Sequence, residues 1–277
     1  MKLAHILVAV AVGIATITSW ATGTSAEAAT AQSVSNLAAK GHSIIRSVYR
    51  VVCPSGFGTG FFHKSGKILT AYHVVQNCPN PMAQGFDGHV ISLVVQAADE
   101  GLDIALLSPM MPVDAPALPI ENDDHLEVGT QVATWGFPAG YPGEIPLLSV
   151  GYLSGQIVFQ NQQGSNVDQW VVNAAFNSGN SGGPLIDIDT GAVIGIVDSK
   201  LAPISPQAAS AIAALEANPS GLIYSGMGPD GKPINASEAQ VVAIVLDELR
   251  KQTQLVIGMA IRAQDIRSFL MAQKIDP

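Results

Sequence analysis

Residues 175–187 read AFNSGNSGGPLID, with Ser181 set among Gly179, Gly182 and Gly183 and followed by a proline and an apolar run. Glycine loses more backbone freedom on folding than any other residue, so three of them around one serine call for a reason. A serine hydroxyl attacks a carbonyl only when a base takes its proton, and the oxyanion that forms needs donors already in place. A chain turning tightly through positive φ just before the serine can supply those donors from the backbone. The candidates are the N–H groups of Gly179 and Ser181. A flexible turn would account for an isolated G-x-S-G equally well, so the decision rests on the surrounding sequence.

Two further stretches supply the partners such a serine needs. LTAYHVV (69–75) places His73 directly after a β-rich segment, and GLDIALLS (101–108) places Asp103 at the head of another. An imidazole can accept the serine proton, and a carboxylate beside it fixes the tautomer and stabilises the imidazolium. Taken singly, His73 fits a hydrogen-bonded core histidine and Asp103 a strand-end cap. The order His, Asp, Ser on one β-rich chain gives them a joint reading.

The chain has 277 residues, enough for a sizeable core in one large or two modest domains. Hydrophobic residues make up 48% and charged residues 13%, a composition that excludes a disordered chain. The net charge of -9 argues against nucleic acid or an anionic membrane as a partner held by electrostatics. At the N-terminus Lys2 precedes an apolar run, and small residues around Ala26 and Ala28 give it the form of a secretory signal over residues 1–28. An uncleaved anchor is the alternative, since Leu3 to Trp20 approaches the length of a membrane span. After signal cleavage no stable membrane insertion is expected, and the protein is expected in the periplasm or outside the cell. In that oxidising setting Cys53 and Cys78 are expected to form a disulfide, with two unpaired thiols as the alternative. Neither these cysteines nor the histidines between them match a zinc-ligand spacing, so no metal and no organic cofactor is expected.

From about Ile44 to Lys200 short β-rich segments alternate with glycine, proline, asparagine and aspartate, the pattern of an all-β barrel or sandwich. Asp87-Gly88 and Gly66 mark tight turns. Helices come late. SPQAASAIAALEANP (205–219) has Ser205 as N-cap with Pro206 after it, and SEAQVVAIVLDELRKQ (237–252) opens on a capping box, Ser237 with Gln240. Apolar residues Val241, Ile244, Val245 and Leu249 predict a packing face on the second of these. A last helix, AQDIRSFLMAQK (263–274), carries Ile266, Phe269 and Leu270 on one face. The acidic ENDDHLE (121–127) is expected to be a solvated connection.

GTGFFHKSGKILTAYHVV (58–75), DIALL (103–107), LEVGTQVATWGFPAG (126–140) and NAAFNSGNSGGPLI (173–186) together resemble the trypsin-like serine endopeptidases, most closely the bacterial HtrA/Deg branch. The resemblance resumes at LVIGMAIRAQDIRSFL (255–270). It implies two perpendicular Greek-key β-barrels, 44–118 and 119–200, with the active site in the cleft between them. A helical insertion follows over 201–254, then the last strand and closing helix over 255–277. It also implies roles: His73 as general base, Asp103 as its orienting carboxylate, Ser181 as nucleophile, and Gly179 with Ser181 as oxyanion hole. Peptides or proteins would be the substrates; a catalytically silent binding or chaperone-like module on the same fold is the alternative. The oligomeric state is left open.

Several positions depart from the family pattern. Asn180 stands where digestive relatives carry the aspartate that pairs with a freshly cut N-terminus, so zymogen cleavage is not expected. No PDZ domain is expected. Ala175 occupies the place of a pocket acid, which with Phe176 predicts an apolar P1 pocket. Ser199 and Lys200 lie on the strand expected to flank substrate, and Lys200 could favour an acidic neighbour or point to solvent. Asp198 falls near the triad aspartate, where relatives usually carry a neutral polar residue. A second carboxylate there must either raise one of the two pKa values or point away. The insertion reads as a lid or adaptor, or as packing over a barrel face.

Overall fold

The computed structural model describes residues 39–161, 163–200, 206–227, 232–252 and 257–277. The expected signal segment 1–28 and the N-cap Ser205 lie outside them. The described residues begin with a helix over 39–47 (α1) and then form fourteen strands, of which twelve close into two six-stranded barrels. The first barrel is built from β1 (Val48–Cys53), β2 (Gly56–His63), β3 (Lys67–Ala71), β4 (Met82–Gln84), β5 (Val90–Asp99) and β6 (Ile104–Pro109), in the order β1-β2-β3-β6-β5-β4. The second uses β7 (Gln131–Gly136), β8 (Leu147–Gln160), β9 (Asn166–Val172), β10 (Pro184–Asp187), β11 (Val193–Lys200) and, from beyond the insertion, β14 (Gly258–Arg262). Its order from β7 is β7-β8-β9-β14-β11-β10, the same winding as the first.

The turn residues fall where the chain reverses. Gly66 (φ 78°) closes β2–β3 and Gly88 (φ 78°) closes β4–β5, both in the left-handed region open to glycine. Strands buried on both faces read as unbroken apolar runs. PLI (184–186) in β10 and IALL (104–107) in β6 are wholly buried because one face fills a barrel and the other meets the neighbouring barrel. One core cluster accordingly spans both barrels, joining Phe61, Leu69 and Leu106 to Trp135, Phe137, Ile186 and Ile261. The closing helix α5 (Ala263–Ala272) presses Ile266, Phe269 and Leu270 into that cluster, about 1.5–3 kcal/mol for each such side chain.

Two expectations change. Asp123, in the acidic stretch taken for a solvated connection, is 0% exposed. Its Oδ2 accepts hydrogen bonds from Arg262 Nε and Trp170 Nε1, each at 2.8 Å, and Arg262 also reaches Asp168 at 2.8 Å. A buried carboxylate persists when it is paired and hydrogen-bonded in this way, and the network ties the interbarrel connection to β14 and β9. The second change concerns the insertion. It contains α3 (Pro206–Glu216), α4 (Glu238–Gln252) and, unforeseen, a hairpin of β12 (Ile223–Met227) and β13 (Pro233–Ser237). The capping box of α4 forms, with Ser237 N–H donating to Gln240 Oε1 at 2.9 Å and Gln240 N–H to Ser237 Oγ at 3.3 Å. The expected packing face does not: Ile244, Val245 and Leu249 are each more than half exposed, while Ala243 is buried.

A short helix, α2 (Tyr72–Val75), connects β3 to β4, and a disulfide fastens the end of that connection, Cys78, to Cys53 at the end of β1. Replacing both cysteines by alanine is expected to cost about 3 kcal/mol, the chain entropy of the loop they close. Unfolding free energies taken from both the denaturation midpoint and the slope measure it, since the uncrosslinked denatured chain exposes more surface.

Candidate active site

Each barrel contributes through the same connection. His73 lies on the link between the third and fourth strands of the first barrel, and Ser181 on the link between the third and fourth of the second. Asp103 precedes β6, held at φ 56°, a left-handed conformation that aspartate tolerates better than most residues. Three hydrogen bonds lock it to α2. Its carbonyl accepts from Tyr72 N–H at 3.0 Å, its Oδ1 from His73 N–H at 2.8 Å, and its Oδ2 pairs with His73 Nδ1 at 2.7 Å. The carboxylate thus makes Nδ1 the protonated nitrogen and leaves Nε2 free to accept.

Ser181 and His73 line one cleft of about 270 Å³ together with Gly179, Ser178, Phe57 and Gly56. No hydrogen bond joins the Ser181 hydroxyl to another described residue. The N–H groups of Gly179 and Ser181 likewise donate to no described residue, while those of Asn180, Gly182 and Gly183 are spent on Asn177, Val197 and Asn180. Gly179 sits at φ 94°, and a Cβ there would collide with the carbonyl of Phe137 and, at 2.8 Å, with the ring of Phe57. Glycine is required there because the loop is pressed against two neighbours.

Asp198, near the end of β11, joins the pair. His73, Asp103 and Asp198 each present an atom within 4.8 Å of the others, the one such group among the described residues with ligand atoms close enough to share an ion. Its Oδ2 accepts from Gln169 Nε2 at 2.7 Å. Burial pushes the Asp198 carboxyl up to about 6; the Gln169 hydrogen bond opposes this, and the Asp103 charge adds to it. Burial pulls His73 down, but the Asp103 hydrogen bond and the charges of Asp103 and Asp198 outweigh it and hold the imidazole above its ordinary value.

Residues 58–196 match the trypsin-like peptidase domain, half of the chain. The chain belongs to that family. Among curated relatives of this trypsin-like peptidase domain, the chloroplastic Protease Do-like 1 of Arabidopsis thaliana is 32% identical over 64% of the chain and 39% of its own length. The periplasmic serine endoprotease DegP of Salmonella typhimurium is 32% identical over 50% and 28%. The chain therefore spans well under half the length of these relatives. The solved Rv3671c protease of M. tuberculosis, active form, shares the fold, with a TM-score of 0.56 at 19% identity over 85% of this chain and 82% of that one.

Ala175, Phe176, Ser199 and Lys200, the residues expected around a P1 pocket, lie on the loop before Ser181 and on β11 of this trypsin-like peptidase domain. Phe176 is buried in the core of the second barrel beside Trp170 and Leu185 and does not line the serine cleft. Ala175 offers its carbonyl to Asn180 Nδ2 at 3.1 Å, so it braces the serine loop. Ser199 and Lys200 lie on β11 opposite Met259 and Gly258; their side chains are outside the described residues. Sequence reasoning missed Thr59. Fully buried on β2, it gives its N–H to the Ser181 carbonyl at 2.8 Å and its hydroxyl to the Gly179 carbonyl at 2.7 Å. It is the clamp by which the first barrel holds the serine loop of the second. Its signal was the flanking pair Gly58 and Gly60, each with a neighbour where a Cβ would stand, Val74 for the one and Ile68 for the other.

Proposed function

We propose that this chain is an exported serine endopeptidase that cleaves peptide bonds through an acyl-enzyme on Ser181. The observation that carries the reading is the meeting, in one cleft, of Ser181 from the second barrel with a His73 already locked to Asp103 on the first. In that chemistry Ser181 Oγ adds to the peptide carbonyl carbon as His73 Nε2 takes its proton. The carbonyl oxygen becomes an oxyanion facing the N–H groups of Gly179 and Ser181. Collapse breaks the C–N bond, and His73 returns the proton to the leaving amine. Water then enters, with His73 again as base, and releases the acyl group. Asp103 holds the imidazole in the required tautomer throughout. The same family membership supports peptide or protein substrates. Export is supported by the apolar N-terminal run and by the disulfide, which suits an oxidising compartment.

The missing hydrogen bond between Ser181 Oγ and His73 favours the second reading, a catalytically silent binding module. Such bonds often tighten only when substrate is bound, so a reaction must decide. A fluorophosphonate probe is expected to label the folded wild type and leave Ser181→Ala unlabelled. Folded wild type that stays unlabelled sinks the enzyme reading.

The pH profile gives a further check. Only neutral His73 accepts a proton, and its pKa is raised, so kcat/KM is expected to rise with pH through a limb above the ordinary imidazole value of about 6.5. An ionised Asp198 favours the imidazolium; Asp198→Asn removes that charge and is expected to move the limb to lower pH. A limb that stays in place in the variant would remove Asp198 from the account.

A further inference from the structure

His73 is shared. Besides the serine cleft it lines a second, larger cavity of about 400 Å³, bounded by α2, the turn between β5 and β6, and the β8–β9 hairpin. Three acids line that cavity, Glu100, Asp103 and Asp198, and among the described residues His73 is the sole basic side chain in its wall. We propose that this cavity is a subsite for a lysine or arginine side chain of the peptide substrate next to the scissile bond, with Asp198 and Glu100 as its counter-charges. The inference rests on the peptidase reading above and adds the class of substrate.

Four observations carry it. His73 lines both spaces, so a side chain next to a carbonyl held at Ser181 would lie beside the larger cavity. The volume lies within the range of small-molecule pockets, about 300 Å³ upward, so a long side chain fits. Leu102, Phe159 and Val167 supply apolar wall for an alkyl stem, and the acids supply its end, the arrangement that suits lysine and arginine. Lastly, the two carboxylates Asp103 and Asp198 crowd each other. Both Asp103 oxygens are engaged by His73, whereas Asp198 spends one on Gln169 and stands within hydrogen-bonding reach of the Asp103 carboxylate, and Glu100 is exposed at the rim. A cation relieves that crowding and forms charge-assisted hydrogen bonds, which are about twice as strong as neutral ones. The elevated pKa of Asp198 reflects the same unrelieved burial of charge.

The test compares matched quenched peptides carrying lysine, norleucine or glutamate at each position flanking the scissile bond. At one position lysine is expected to raise kcat/KM about tenfold over norleucine, with glutamate lowest. In Asp198→Asn and in Glu100→Gln the lysine-to-norleucine ratio should fall toward one. Because the ratio is taken within each variant, any effect of Asp198 on His73 cancels. Equal rates for lysine and norleucine at all positions, in wild type that labels at Ser181 and cleaves norleucine peptides, overturn the subsite and leave the peptidase reading standing. The subsite is also readable without turnover: folded Ser181→Ala should bind the lysine peptide about tenfold more tightly than its norleucine counterpart in calorimetry, and equal affinities count against it.

Discussion

Ser181→Ala is expected to lower turnover on a peptide substrate by about 10⁶, with binding little changed. The magnitude follows from what is left. Gly179 and Ser181 would keep their N–H groups, and His73 would keep its pairing with Asp103, but no atom would remain to form the acyl bond. The residual rate over water would come from binding and oxyanion donors alone. The fold should survive, because the side chain makes no hydrogen bond with a described residue and the Ser181 carbonyl would still accept from Thr59 N–H at 2.8 Å. Single-turnover kinetics on circular-dichroism-matched protein reads the effect. A variant that hydrolyses at the wild-type rate would mean that a different group attacks.

The largest effect on stability is expected one residue later. Gly182 sits at φ 85°, and a Cβ there would run into the Thr59 carbonyl and the Thr70 hydroxyl, with Ala71 N at 2.8 Å. Two of these three are backbone atoms of the opposing barrel, and Thr70 Oγ1 is itself fixed by a 2.7 Å hydrogen bond to the Thr59 carbonyl. None can yield without separating β2 and β3 from the serine loop. Gly182→Ala is therefore expected to cost upward of about 4 kcal/mol, in the range where a small domain no longer folds stably. Loss of soluble protein, or a melting temperature lowered by more than ten degrees, is the expected readout. A variant with unaltered melting would show that the interbarrel contact is loose.

Much of this arrangement was legible because it depends on local chemistry. Turn glycines at 66 and 88, the capping box at Ser237, the apolar face of α5 and the three site residues each leave a mark within a few positions of sequence. Whatever depends on contacts between distant segments left little. Asp123 looks like one more surface acid until Arg262 and Trp170 come to meet it from the far end of the second barrel. Phe176 looks like a pocket wall because it adjoins the serine loop, yet it packs in the core with Trp170 and Leu185. The repeated winding of the two barrels is invisible as sequence similarity; it emerges only from strand order. The hairpin in the insertion had a local signal, Asp230-Gly231 between two apolar stretches, that the stronger helical patterns on either side overshadowed.

His73 and Asp103 stand on one barrel, Ser181 and Asp198 on the other. Tilting one body against its twin would lengthen the gap between hydroxyl and imidazole while leaving the imidazole–carboxylate bond intact. The machine comes apart along a seam, and a wedge driven into that seam would silence it without touching one reactive atom.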